Sequence, residues 1–306
     1  MLKGGVGVEL CFAVKPCWQG WFLRDVLHQC GVSSGLARSV KRAQGFFLDD
    51  RPVHTDVRVN TGQILRFALP PEPPTTVQPQ QIPLQIVWQD QHAIVLDKPA
   101  GMAVHPTLNY ADGTLANAYM GLLEQQGEPG VFRPVNRIDR NTSGLVLCAR
   151  NAFAAPLLAA SVQKAYYAIA QGEMPLETGQ VQAPIGRAPG SIILRCVAPH
   201  GQPSRTEYQV LASGAGHALL RVTPVTGRTH QIRVHMAHIG HPLAGDDLYG
   251  GSTARMQRHA LHCGQLRFEI PISGQNCCVG SPLPQDMAQL TAAMGITAAQ
   301  RIAWGL

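Results

Sequence analysis

At 306 residues, 45% of them hydrophobic and 14% charged, the chain has material for one large domain plus a small one, and too much apolar content for a disordered polypeptide. A formal net charge of +6 favours polyanionic partners. No apolar run reaches the roughly 18–20 residues of a membrane span, and the start MLKGGVGVELCFAVKPCW lacks a signal-peptide pattern, so a cytoplasmic protein is expected, and a monomer.

The charge is uneven. Residues 1–70 hold nine Lys/Arg against five Asp/Glu, and arginine outnumbers lysine twenty to five along the chain. The planar arginine fork suits phosphate and base edges, although GC-rich coding would produce the same bias. The eight cysteines show no CxxC and no paired zinc spacing, and reduced thiols are expected.

In chain order, residues 1–18 are expected to be an N-terminal extension and 19–70 a small α+β unit. Phe22, Leu23, Val26 and Leu27 fall at helical spacing. GVSS breaks that helix and offers Ser33 or Ser34 as the next cap. The second helix, over about 35–43, places Arg38, Lys41 and Arg42 at i, i+3 and i+4 on one face. GFFLDDRPV, with a turn at Asp49-Asp50, and ILRFAL then read as strands. Residues 71–83 form a proline-rich linker that can be neither helix nor central strand.

From 84 to 290 strand-like runs dominate, at 93–96, 144–149, 165–170, 206–211 and 217–223, with helices expected over 114–124 and 153–163. Without regular βαβ alternation this predicts an α+β domain built on a mainly antiparallel mixed sheet. QDMAQLTAAMG reads as a terminal helix, and 291–306 as a tail.

Three loops concentrate polar residues. VLDKPAGMAVHP (95–106) ends a strand. RPVNRIDRNTSGLVLCAR (133–150) sets Asp139 between Arg137 and Arg140 at the mouth of an apolar strand. TGRTHQIRVHMAHIGHPLAGDDLYG (226–250) predicts a helix capped by Thr226 or Thr229 and running to about Ile239. On it His230 and Arg233 share a face, and its first turn, with Arg228, Thr229 and His230, suits a phosphate. His235, His238 and His241 lie three apart, and His259 and His262 repeat the spacing. Gly240 and Pro242 take His241 out of the helix, and no carboxylate stands as in HExxH, so no metal site is expected.

These motifs resemble the RluA-type family of pseudouridine synthases. The family's His-Arg-Leu-Asp then Thr-Ser-Gly-Leu reads here Asn136-Arg137-Ile138-Asp139 then Thr142-Ser143-Gly144-Leu145. GRTHQIRVHMAHIGHPLAGDDLYG and DKPAGMAVHP match as well. Residues 19–70 resemble the small RNA-binding domain named after ribosomal small-subunit protein S-four.

The resemblance implies the pseudouridine synthase fold, RNA (most of all large-subunit ribosomal RNA) as partner, isomerisation of uridine, and no cofactor. It implies Asp139 as catalytic aspartate, Arg233 as its partner, and Tyr166 as the tyrosine that stacks on a flipped uracil, with Tyr167 on the opposite face of the strand. Arg137 would fill the vacated base position. Lys98, Thr142, Arg228, His230 and Gln231 would bind substrate, and Arg38, Lys41 and Arg42 would carry RNA affinity in the front domain. Asn136 stands where the family has histidine and cannot titrate. That departure supports the alternative of an inactive RNA-binding or assembly factor.

Overall fold

In the computed structural model, which describes residues 8–175 and 177–306, the chain opens on strand β1 (Glu9–Ala13). Helices α1 (Leu23–Gln29) and α2 (Ser34–Arg42) follow, then β2 (Phe47–Leu48), β3 (Arg51–Pro52) and β4 (Ile64–Ala68). The sheet order is β1-β4-β2-β3, all antiparallel. Asp49 and Asp50 adopt positive φ (48° and 63°), as a two-residue hairpin turn requires. Ser33 is the cap of α2 and accepts the Leu36 N–H at 3.3 Å. α2 buries Leu36 and Val40 and leaves Arg38, Lys41 and Arg42 exposed on one side.

β1 corrects the expected extension: Leu10 is buried and the strand pairs with β4 from Glu9↔Ala68 to Ala13↔Ile64. With a single buried residue, β1 is too short for its alternation to stand out in the sequence. Residues 1–7 of that extension lie outside the described residues.

Residues 69–84 form no regular element, yet they are pinned to the larger unit. Asn117 Nδ2 donates to the Gln78 carbonyl (2.8 Å), Gln80 N–H to the Asn117 carbonyl (3.0 Å), and Gly113 N–H to Gln80 Oε1 (2.8 Å). Arg133 pairs with Glu72. Gly121 lets the Gln80 backbone lie against its helix; a Cβ there would stand 2.0 Å from the Gln80 oxygen.

The larger unit carries β5 (Gln85–Gln89), β6 (Ala93–Lys98), α3 (Leu115–Gln126), β7 (Ser143–Ala149), α4 (Ala154–Ser161), β8 (Gln163–Gln171), β9 (Thr178–Gln182), β10 (Ile185–Arg187) and β11 (Arg195–Val197). β12 (Arg205–Gly214), β13 (His217–Pro224), α5 (Gln231–His238), β14 (Leu261–Glu269), β15 (Asn276–Gly280), α6 (Gln285–Ala293) and α7 (Ala298–Ala303) complete it. The main sheet runs β5-β6-β7-β14-β8-β13-β12-β9, with β15 beside β14. Every pairing is antiparallel except β7 with β14. The fold is therefore α+β with a mainly antiparallel mixed sheet, as the sequence predicts.

Side chains alternate across β8. Tyr166, Ala168 and Ala170 join the main core, while Tyr167 and Ile169 join a second one with Leu219, Met287 and Leu290. That second core corrects the expected tail: α6 runs through residue 290, Met294 and Ile296 are buried, and Tyr167 donates to the Trp304 carbonyl at 3.1 Å. Phe153 packs into the small unit's core, 6.1 Å from the Phe12 ring, and Leu157 fills the space over Gly31. Among the described residues no helix is long and apolar enough to cross a membrane.

Candidate active site

Asp139 sits in the loop that enters β7, and this loop is fixed from several sides. Lys98, at the end of β6, is fully buried and donates to the carbonyls of Pro99 (2.8 Å), Met102 (2.7 Å) and Arg140 (3.0 Å). Burial and then the Arg258 charge push its pKa down to about 7; three carbonyls match the three donors of an ammonium and act the other way. Thr142 Oγ1 bonds His259 Nε2 at 2.8 Å. Arg258 reaches the Asn141 carbonyl (3.0 Å) while its guanidinium is bidentate to Asp286 on α6 (2.7 and 3.0 Å). Gly144, at φ 106°, lies so close to β14 that a Cβ would stand 2.3 Å from the Cys263 oxygen.

The carboxylate's partners come from α5 and the segment after it. Arg233, buried on α5, gives Nε and Nη2 to the two oxygens of Asp246 (2.8 and 2.7 Å) and Nη1 to Asp139 Oδ2 (3.1 Å). The Asp246 side chain is completely buried. Burial opposes the arginine's charge and is outweighed by hydrogen bonds and attraction from Asp246 and Asp139, which push its pKa above the ordinary value. His230 Nε2 faces the same Oδ2 at 3.7 Å. Both partners thus address one oxygen, and Oδ1 has no hydrogen-bond partner among the described residues. Burial pulls the His230 pKa down against the Asp139 charge. Asp139 opens onto a cleft of about 610 Å³ lined by Tyr166, Arg137, Lys164, Arg228 and Ile232, among others.

Comparison with known proteins shows the family of the chain. The family model described as RNA pseudouridylate synthase matches residues 92–238. The uncharacterized RNA pseudouridine synthase YjbO of Bacillus subtilis is 35% identical over 276 residues, 88% of this chain and 97% of that protein. The chain belongs to the RluA-type RNA pseudouridine synthase family. The ribosomal large subunit pseudouridine synthase D of Nitrosomonas europaea is 42% identical over 231 residues, 71% of this chain and 67% of that one. Among solved structures, human RNA pseudouridylate synthase domain containing 1 superposes with a TM-score of 0.53 at 28% identity, over 74% of this chain and 98% of that one. The synthase is an isomerase that converts uridine in RNA to pseudouridine.

Of the residues singled out in the sequence, the synthase brings Asp139, Tyr166, Arg233, Arg137, Arg228 and His230 to one cleft. The flanking arginines do not hold the aspartate: Arg137 is exposed, and Arg140 lies over the Tyr110 ring, 4.6 Å from its centroid, and bonds the Gly101 carbonyl at 2.8 Å. Thr142 and Gln231 line the same cleft with their side-chain polar groups bonded within the protein, whereas Lys98 is fully buried, does not line it and is paired with three carbonyls.

Gln231 Oε1 accepts from Thr226 Oγ1 (2.8 Å) and the Arg228 N–H (3.0 Å), and its Nε2 donates to the Arg205 carbonyl (2.9 Å). By tying down this loop Gln231 takes the work expected of a threonine cap. The residue before α5 is His230, in the left-handed region at φ 57° with no side-chain cap. Asn136 donates to the Leu145 carbonyl (3.1 Å) and accepts the Leu147 N–H (2.8 Å). This clamp on β7 needs no titratable proton.

Among the described residues no group of histidines, cysteines and carboxylates is placed to hold a metal. His235, His241 and His262 are instead bonded to protein oxygens. Three contributors escaped the sequence reading: Asp246, Tyr249 and Arg258. The first two lie in the DDLY stretch of a loop already marked by its polarity, but nothing there tells a buried carboxylate from an exposed one.

Proposed function

We propose that Asp139 is the nucleophile of this synthase and that large-subunit ribosomal RNA is its substrate. The observation that carries the first part is the ion pair at the cleft floor. Arg233, itself anchored by Asp246, holds Oδ2 of Asp139, and Oδ1 of this cleft-lining residue has no hydrogen-bond partner among the described residues. Pseudouridine formation breaks a carbon–nitrogen glycosidic bond, turns the base and joins carbon to carbon on the same ribose. No atom enters or leaves, so an ionised carboxylate, exclusion of water and a base taken out of its stack suffice. The cleft volume of about 610 Å³ falls within the roughly 300–1,000 Å³ usual for sites that enclose a small ligand.

Tyr166 lines this cleft. Burial, then the neighbouring Cys263 and Asp139, hold its phenol well above the ordinary pKa. The phenol is therefore protonated at neutral pH and offers a stacking surface and a hydrogen-bond donor. Arg137, exposed at the cleft, takes the place of the extracted uracil and offsets part of an unstacking cost of a few kcal/mol. Arg228 and the exposed face of α2, with Arg38, Lys41 and Arg42, contact phosphate. The ribosomal assignment is supported by relatives named ribosomal large subunit pseudouridine synthase D.

Asp139→Asn tests the chemistry. The near-isosteric change removes the charge, so turnover is expected to vanish with RNA affinity kept within a few-fold. Residual activity above about a hundredth of wild type excludes an obligatory nucleophile, since losing a covalent step costs far more. Transcriptome-wide pseudouridine mapping in a strain lacking the protein tests the substrate. Missing sites confined to transfer RNA would replace the ribosomal assignment.

A further inference from the structure

His230 touches the active carboxylate on one side and Tyr249 on the other, and the hydrogen bonds around it leave little choice of proton position. Tyr249 Oη lies 2.8 Å from His230 Nδ1 and 3.1 Å from the backbone nitrogen of Arg195 at the start of β11. A backbone N–H only donates, so the phenol oxygen accepts from Arg195 and its own proton is free for Nδ1. Nδ1 then accepts, which puts the imidazole proton on Nε2, the nitrogen facing Asp139 Oδ2 at 3.7 Å. The reverse tautomer would set a bare Nε2 lone pair against a carboxylate.

We propose that Tyr249, oriented by the β10–β11 hairpin, is a positioning residue that fixes His230 as a neutral imidazole with its Nε2–H directed at Asp139. The inference rests on the reading of Asp139 as nucleophile. Arg233 then donates to Oδ2 while the His230 Nε2–H, 3.7 Å away and longer than a hydrogen bond, faces the same oxygen electrostatically, so the other oxygen keeps its lone pairs for the ribose or base. The left-handed backbone at His230, φ 57°, aims the ring between Asp139 and Tyr249.

The charged and titratable groups around this ring are Asp139 on the loop before β7, Arg233 on α5, Asp246 and Tyr249 after it, and Arg195 on β11; His259 senses it from before β14. Burial already keeps the ring below its ordinary pKa. The donated phenol proton adds to this, because an imidazolium would need Nδ1–H where Tyr249 points its own hydrogen.

The test uses the full-length protein and long-range proton–nitrogen NMR of the histidine rings, with His230→Gln to assign the resonance. Wild type is expected to show a protonated Nε2 and an unprotonated Nδ1. Tyr249→Phe removes only the hydroxyl. Its His230 is expected to show averaged ring nitrogens and to titrate at a higher pH than in wild type. Its kcat should fall about tenfold, the scale of one hydrogen bond, with KM within twofold.

A proton on Nδ1 in wild type overturns the proposal. So do unchanged ring shifts in Tyr249→Phe, whatever happens to kcat. Should Asp139→Asn retain turnover, the nucleophile assignment fails while the ring shifts still decide the hydrogen-bond order.

Discussion

Asp246 is the residue whose removal separates stability from catalysis. It is buried, carries no substrate-facing atom, and takes two of the three bonds of the Arg233 guanidinium. Asp246→Asn keeps the shape but replaces one acceptor oxygen by an N–H that opposes the guanidinium. With Arg233 free to turn, activity is expected to fall about a hundredfold, as displacements of about 1 Å in a reacting group commonly do. Arg233→Ala is expected to destabilise by about 3–5 kcal/mol, because Asp246 is left as an unpaired buried charge. Combining the two changes should restore much of that stability and none of the activity, which denaturation and kinetics on the same four proteins check. If the double variant is no more stable than Arg233→Ala, Asp246 is not the charge that Arg233 neutralises. The sequence could not single out Asp246, since Asp247 beside it is exposed and a doublet of carboxylates carries no mark of which one turns inward. The Arg-Ile-Asp-Arg run misleads similarly: neighbours in sequence, Arg137 and Arg140 make no bond to the carboxylate they flank, which is held by Arg233 from α5.

At the level of elements, α2 is legible from spacing alone, because three basic residues share the side opposite buried Leu36 and Val40. Replacing Arg38, Lys41 and Arg42 together by alanine is expected to weaken RNA binding and to lower the slope of log K against log salt by about 0.7–0.9 for each phosphate no longer neutralised. Turnover at saturating RNA should remain, since α2 belongs to a separate sheet and core. Filter binding across a salt series reads the slope, and an unchanged slope excludes α2 from the interface. Long strands with unbroken apolar runs, β6, β7, β8 and β13, are visible in the sequence. β14 is not: a register shift between Cys263 and Gln265 interrupts its alternation, and period two is the signal by which such a strand is read. β10 and β11, three residues each, fall below any periodic signal. α7 and the buried residues around it hide in a stretch that reads as a tail, since its burial partner, Tyr167, belongs to a strand far away in sequence.

Across the whole molecule, five buried or half-buried histidines share a direction. His92, His230, His235, His259 and His262 are all lowered, each first by burial. His259 goes furthest, to about 2, with Arg233 and Arg258 adding to the effect of burial. The folded protein keeps this ring neutral while the unfolded chain binds a proton below its ordinary value of 6.5. Its contribution is therefore complete above pH 6.5 and lost as pH falls from there toward about 2, at no more than about 1.4 kcal/mol per pH unit. Denaturant midpoints are expected to drop between pH 7 and pH 5.5. The drop should be smaller in His259→Gln, which keeps a hydrogen-bonding group for Thr142 but cannot titrate; an equal drop removes His259 from the account.

The segment over 71–83 reads in the sequence as a proline-rich linker that can be neither helix nor central strand. Its bonds to Gly113 and Asn117 and its close fit on Gly121 make it a caliper arm instead. Phe153 and Leu157 are seated in the small unit, so packing as well as chain connectivity ties the basic face of α2 to the unit that carries Asp139. If α2 grips RNA and Asp139 acts on it as proposed, the RNA is measured as well as bound. On that proposal, two phosphate-rich features at the wrong separation would not engage both ends, however well each fits alone, and a uridine in the right local sequence would be passed over when the surrounding fold of the RNA offers no second grip at that distance.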